Sequence, residues 1–82
     1  MIYSEQIRAA RSLIGWNQQT LAARADVGIA TVRRLESKDG PLKGQTETMW
    51  ALQRALEAAG VKFIEDDGTN GPGVRLQTSQ KT

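Results

Sequence analysis

The chain has 82 residues, 39% of them apolar and 5% aromatic, with no histidine, no cysteine and a net charge of +2. That length allows one small domain with a modest core, for which dimerisation would add stability. Without cysteine there are no disulfides and no thiolate metal sites, and no apolar run reaches membrane-spanning length. The N-terminal stretch MIYSEQIRAARS has no secretory core, so the expectation is a cytoplasmic chain with no membrane partner. Ten alanines and few aromatics favour a mainly α protein with close helix contacts.

Residues 4 to 14 read as a first helix. Ser4 is its predicted cap, Glu5 suits the positive end of its dipole, and Gly15 stops it. Ile7, Ala10, Leu13 and Ile14 form its predicted buried stripe, with Trp16 as an apolar plug beyond it. A second helix follows, capped by Asn17, with Gln18, Gln19 and Thr20 in a polar first turn. Leu21, Ala22 and Ala25 share one face of it. Asp26-Val27-Gly28 breaks the pattern. In the third helix Val32 and Leu35 turn inward, leaving Ile29, Ala30, Arg33 and Arg34 outward. Two short helices, a tight turn, a small residue (Ala22) for the crossing and a few apolar locks make up a helix-turn-helix inventory. The outward strip is basic, partly apolar and about as wide as a major groove.

Ser37 to Gln45 is a predicted loop, punctuated by Asp39-Gly40-Pro41 and Gly44. The longest helix is predicted over Thr46 to Ala59, capped by Thr46 and closed by Gly60. Met49, Leu52, Leu56 and Ala59 form its stripe; Trp50 lies off that stripe and is either a flank of the core, the favoured reading, or part of a subunit contact. Val61 to Glu65 and Val74 to Gln77 alternate as short strands, with Val61 and Phe63 on one face and Val74 and Leu76 on one face. Between them DDGTNGPG is a hairpin loop rather than a phosphate loop, because no Gly-Lys-Ser/Thr and no helix follow it. The predicted organisation is a helical unit over residues 1–60, a β-hairpin over 61–77 for packing or dimerisation, and a flexible tail over 78–82.

Three groups of residues carry a family resemblance: Ile7-Arg8-x-x-Arg11; Asn17-Gln18-x-x-Leu21-Ala22; and Val27-x4-Val32-x-Arg34-Leu35-Glu36. Together they resemble the phage-repressor-like (Cro/XRE) helix-turn-helix family of DNA-binding regulators and span about half of the 82 residues. Two positions depart from it. Asp26 stands where the family usually has Gly, and Gly28 where it usually has Ser or Thr. Both substitutes suit their places, since Asp is enriched at positive φ and Gly is an acceptable N-cap. GVKFIEDDGTNGPGVRL also resembles the C-terminal hairpin of many small bacterial members. The resemblance implies a lambda-repressor-like bundle of about four helices with a C-terminal β-hairpin, binding double-stranded DNA as a homodimer. It also implies an ion pair between Arg11 and Glu36 that locks the first helix to the third.

Charge is distributed as such a partner requires. From Arg8 to Lys43 the net charge is +4, and from Gly44 onward it is −1. Residues 28–37 form the predicted recognition helix, with Gly28, Ile29, Ala30, Arg33 and Arg34 as candidate base readers. Arg can fork onto guanine O6 and N7, and Ile29 or Ala30 can meet a thymine methyl. A phosphate contact, or a pair with Glu36, competes for Arg33. Gln18, Arg11, Lys38 and Lys43 are candidate phosphate contacts; purely structural or solubilising roles compete at each.

The leading expectation is a sequence-specific transcriptional regulator, a repressor without cofactor. The alternative is an antitoxin-like or controller protein that grips a partner protein through its C-terminal region and autoregulates through the helix-turn-helix. An enzyme ranks last. The only carboxylate cluster, Glu65-Asp66-Asp67, sits in a loop with no positioned partner, so neither catalysis nor a metal site is expected there.

Overall fold

The computed structural model describes residues 2–42 and 46–77, with only the backbone of Thr46. Four helices and one antiparallel hairpin follow in order: α1 (Ser4–Ile14), α2 (Gln18–Ala25), α3 (Ile29–Glu36), α4 (Thr46–Ala58), β1 (Val61–Ile64) and β2 (Gly73–Leu76). None of these helices is long and apolar enough to cross a membrane. The capping role of Thr46's side chain, the phosphate role of Lys43 and the predicted tail over 78–82 lie outside the described residues and atoms.

Helix α1 begins one residue earlier than its predicted cap implies. Tyr3 is the N-cap, and its N–H donates to the Gln6 Oε1 at 2.8 Å. Ser4 is fully buried in the first turn, where its hydroxyl accepts from Arg8 Nη1 at 2.8 Å. Gly15 ends the helix at φ 73, the left-handed conformation in which a Cβ is costly. Asn17 caps α2 by accepting the Thr20 N–H at 2.7 Å. Asp26 then takes φ 57, the only positive φ outside glycine among the described residues. A short polar side chain tolerates that region, so the turn closes without glycine. Gly28 is the N-cap of α3 in extended conformation.

The core is built from Ile7, Ala10, Leu21, Ala22, Val32, Leu52, Leu56 and Val61, with every helix and β1 contributing. Leu42, which the periodicity did not single out, joins it. It is held there because residues 2–4 pair with 40–42. The Leu42 N–H donates to Ile2 C=O at 2.8 Å, the Ser4 N–H donates to Gly40 C=O at 3.0 Å, and Tyr3 and Pro41 form an antiparallel bridge. Two expected core residues are not buried. Leu13 is 44% exposed and Trp50 54% exposed. Leu13 lies at the edge of its stripe and Trp50 off the main stripe, and no described element covers either.

The hairpin pairs Val61 with Leu76, Lys62 with Arg75, Phe63 with Val74 and Ile64 with Gly73. Each strand is one residue shorter at its C-terminal end than predicted, and β2 begins one residue earlier. The hairpin packs on α1 and α4. Gln6 fastens it: this buried amide donates to Ile64 C=O at 3.1 Å and to Gly73 C=O at 3.0 Å.

Candidate nucleic-acid interface

The 3.6-residue period of α3 divides its side chains sharply. Val32 and Glu36 are buried, and Leu35 packs against the core. Ile29, at i−3 from Val32 and i−7 from Glu36, lies on the same side and packs against the core as well. Its expected place on the outward strip is therefore corrected, because helical phase puts it beneath the helix. Ala30, Arg33 and Arg34 remain exposed, followed by Ser37 and Lys38. Gly28 is exposed at the N-terminal end of the same helix.

Beneath this face the carboxylate of Glu36, with a side chain 4% exposed, is held from two helices. Arg11 grips it bidentately, Nε to Oε2 at 2.8 Å and Nη2 to Oε1 at 2.7 Å. Gln18 Nε2 donates to the same Oε1 at 3.0 Å. Charge-assisted bonds of this kind offset the cost of burying a carboxylate, and they bolt α1 and α2 to the C-terminal end of α3. Arg11 Nη1 also donates to Trp16 C=O at 3.0 Å. All three Arg11 nitrogens are thus engaged inside the protein, and its geometry serves the lock rather than a phosphate. The Gln18 amide is likewise turned to Glu36 and half-buried.

A second clamp was not foreseen. Arg8 Nη1 donates to Glu36 C=O at 2.7 Å, and Arg8 Nη2 meets Asp39 Oδ1 at 2.6 Å. Glu5 accepts the Gly40 N–H at 3.0 Å. The i, i+4 spacing of Ser4 and Arg8 was visible in the sequence, but the bonds to Glu36 and Asp39 span 28 and 31 residues and leave no periodic trace.

These two clamps determine the electrostatics of the surface. Glu36 is buried and matched, and Asp39 is matched by Arg8. Among the described residues, Arg33, Arg34 and Lys38 take no hydrogen-bond or ion-pair partner of their own, and the contemplated Arg33–Glu36 pair does not form. Arg34, Leu35, Lys38 and Pro41 help line a groove of about 370 Å³ at the C-terminal end of α3. Arg24 stands 5.3 Å over the ring of Trp16, which packs, partly buried, against the core.

The carboxylates of the hairpin loop are occupied locally. Asp66 accepts from the Gly68 N–H at 2.8 Å, and Asp67 accepts from the Thr69 and Asn70 N–H groups at 2.9 and 2.7 Å. Those amides hold the Asp67 carboxyl below its ordinary range, Asn70 first and then Thr69. No group of three or more acidic residues converges on a metal-sized site among the described residues. No protein-family model matches the chain, and no curated protein matches it either.

Proposed function

We propose that this chain is a sequence-specific DNA-binding transcriptional regulator, a repressor of lambda-repressor-like helix-turn-helix fold. It works in the cytoplasm as a homodimer without cofactor or catalytic activity. The single observation that carries the reading is the composition of the free face of α3. Ala30, Arg33 and Arg34 are exposed, with Lys38 just beyond the helix, and the three cations have no acidic partner among the described residues, while both nearby carboxylates are tied to α1. A helix bearing small side chains at its leading end and two free guanidinium groups one turn later suits major-groove entry.

In this reading Arg34 reads a base, because it lies opposite the buried side of α3, and Gly28 and Ala30 allow close approach to the base edges. Arg33 stands on the flank and takes a base or a phosphate. Lys38 takes a phosphate, with Lys43 assigned the same role from sequence alone. Arg11 and Glu36 hold the recognition helix in place. A dimer would set two such helices in successive major grooves, about 34 Å apart.

A second reading is favoured by Trp50, a large aromatic more than half exposed on α4. It makes the decisive partner another protein, as in an antitoxin or controller, with DNA binding serving autoregulation. Selection from a random duplex library at fixed salt, with wild type and Arg34→Ala side by side, separates these. A palindromic consensus, relaxed at one position in the variant with a loss of about 1–3 kcal/mol, supports the DNA reading. Absence of any binding removes it and leaves the protein partner.

A further inference from the structure

The loop after α3 carries an acid beside the cations assigned to DNA. Asp39 lines the groove of about 370 Å³ at the C-terminal end of α3 together with Arg34 and Lys38. Its side chain is 76% exposed, so the carboxylate stands at the surface rather than in the core. Left alone, it would pair with Arg34 or Lys38, or repel a phosphate that either one holds. In both cases about one cationic contact to a polyanion would be lost.

Arg8 of α1 answers this charge. Its Nη2 donates to Asp39 Oδ1 at 2.6 Å, while Nη1 donates to Glu36 C=O at 2.7 Å and to the Ser4 hydroxyl at 2.8 Å. Glu36 is the last residue of α3, so one guanidinium meets both the Asp39 carboxylate and the negative carbonyl end of the recognition helix. Lys38 lies between Glu36 and Asp39, and Arg8 holds both of its flanks. An ion pair as exposed as this one adds little stability, so its main consequence is where charge is cancelled. The rest of the loop is tied to the same end of the molecule. The Gly40 N–H donates to Glu5 Oε1 at 3.0 Å, and Gly40 C=O accepts the Ser4 N–H at 3.0 Å.

We propose that Arg8 is a positioning residue for DNA binding. It contacts no DNA itself; it keeps Asp39 from Arg34 and Lys38 and sets the backbone on both sides of Lys38 for a phosphate. Its effect falls on affinity for any duplex and not on the choice of sequence, because phosphate contacts carry no base information. The inference rests on the DNA-binding reading of α3 and adds to it a residue outside the recognition surface, with Asp39 as the charge it must silence.

Dissociation constants are measured across a range of salt on a duplex carrying the selected consensus and on a scrambled one. The proteins are wild type, Arg8→Gln, Asp39→Asn, Arg8→Gln with Asp39→Asn, and Arg8→Gln with Glu57→Gln, each verified as folded by circular dichroism. Arg8→Gln is expected to bind both duplexes about tenfold more weakly, with a salt dependence shallower by about one contact. Adding Asp39→Asn restores affinity and slope, whereas Glu57→Gln, which restores the same net charge from α4, does not. An arginine that served the fold alone would leave the Arg8→Gln, Asp39→Asn protein as weak as Arg8→Gln. That result, equal rescue by Glu57→Gln, an Arg8→Gln protein that binds like wild type, or a preference relaxed at one base overturns the proposal. A wild type that binds neither duplex removes the DNA reading itself, so the two failures give different results.

Discussion

Glu36 shows how one residue can carry a surface it does not belong to. Its carboxylate is buried, yet by binding Arg11 and Gln18 it anchors α3, and by turning inward it leaves Arg33 and Arg34 unneutralised. Replacing it with Ala strands a guanidinium that is only 18% exposed and a half-buried amide. Loss of one partner from a largely buried pair costs about 3 kcal/mol. Glu36→Ala is therefore expected to lower the denaturant midpoint and DNA affinity together, and unchanged stability would show the pair to be incidental. Ile29 teaches the opposite lesson. A residue assigned outward by its neighbours in sequence belongs inward by phase, so Ile29→Ala should act on stability before it acts on base preference.

At the scale of elements, the turn between α2 and α3 rests on two unusual choices. Asp26 accepts a left-handed backbone, and Gly28 caps α3 without a side chain. Gly28 sits at φ −62 and ψ 142, which any residue can adopt, and a Cβ there would meet only Thr31 Oγ1 at 4.0 Å. Gly28→Ser should supply a capping hydroxyl and reduce unfolded-state freedom, stabilising the protein by about 0.5–1 kcal/mol. A thermal melt reads this directly, and a lower Tm would mean that the turn needs glycine for some further reason. The hairpin loop makes a pH prediction. Since the Asp67 carboxyl is held below its ordinary 3.8, the loop geometry it supports is complete above that value and is lost as pH falls through the lower folded value. An NMR titration should place the Asp67 midpoint below 3.8. The Thr69 and Asn70 amide shifts should move with it.

For the whole molecule, the helices and the hairpin are joined at few but specific points. Gln6 is 3% exposed and bonds to Tyr3 at its own helix start and to both strands at the loop end of the ladder. Gln6→Leu keeps most of the volume but leaves these groups without that partner, at about 2 kcal/mol. Hydrogen exchange should then rise in β1 and β2 more than in α2 and α3. Uniform loss of protection would show instead that the hairpin and helices unfold as one unit. The N-terminal residues are fastened similarly, because Ile2 to Ser4 pair with Gly40 to Leu42 and carry Leu42 into the core.

Local chemistry alone made the element order legible. Caps at Asn17 and Gly28, stops at Gly15 and Gly60, the period of Leu21, Val32, Leu52 and Leu56, and the alternation of Val61 and Phe63 are all properties of neighbours in the chain. They placed four helices and a hairpin to within a residue or two. The Arg11–Glu36 pair came from family resemblance, not from periodicity, and the structure holds it at hydrogen-bond distance. Other features were decided only by the tertiary arrangement. Ser4 is buried beneath Arg8, Leu42 enters the core through backbone pairing with Ile2, and Leu13 and Trp50 stay exposed among the described residues. Asp39 is spent on Arg8, and the open edge of β2 lies beside a groove. The physical reason is the same throughout. A helix or strand declares which of its faces is apolar, but which neighbour reaches that face, and which charges are cancelled on the way, depends on contacts between residues far apart in the chain.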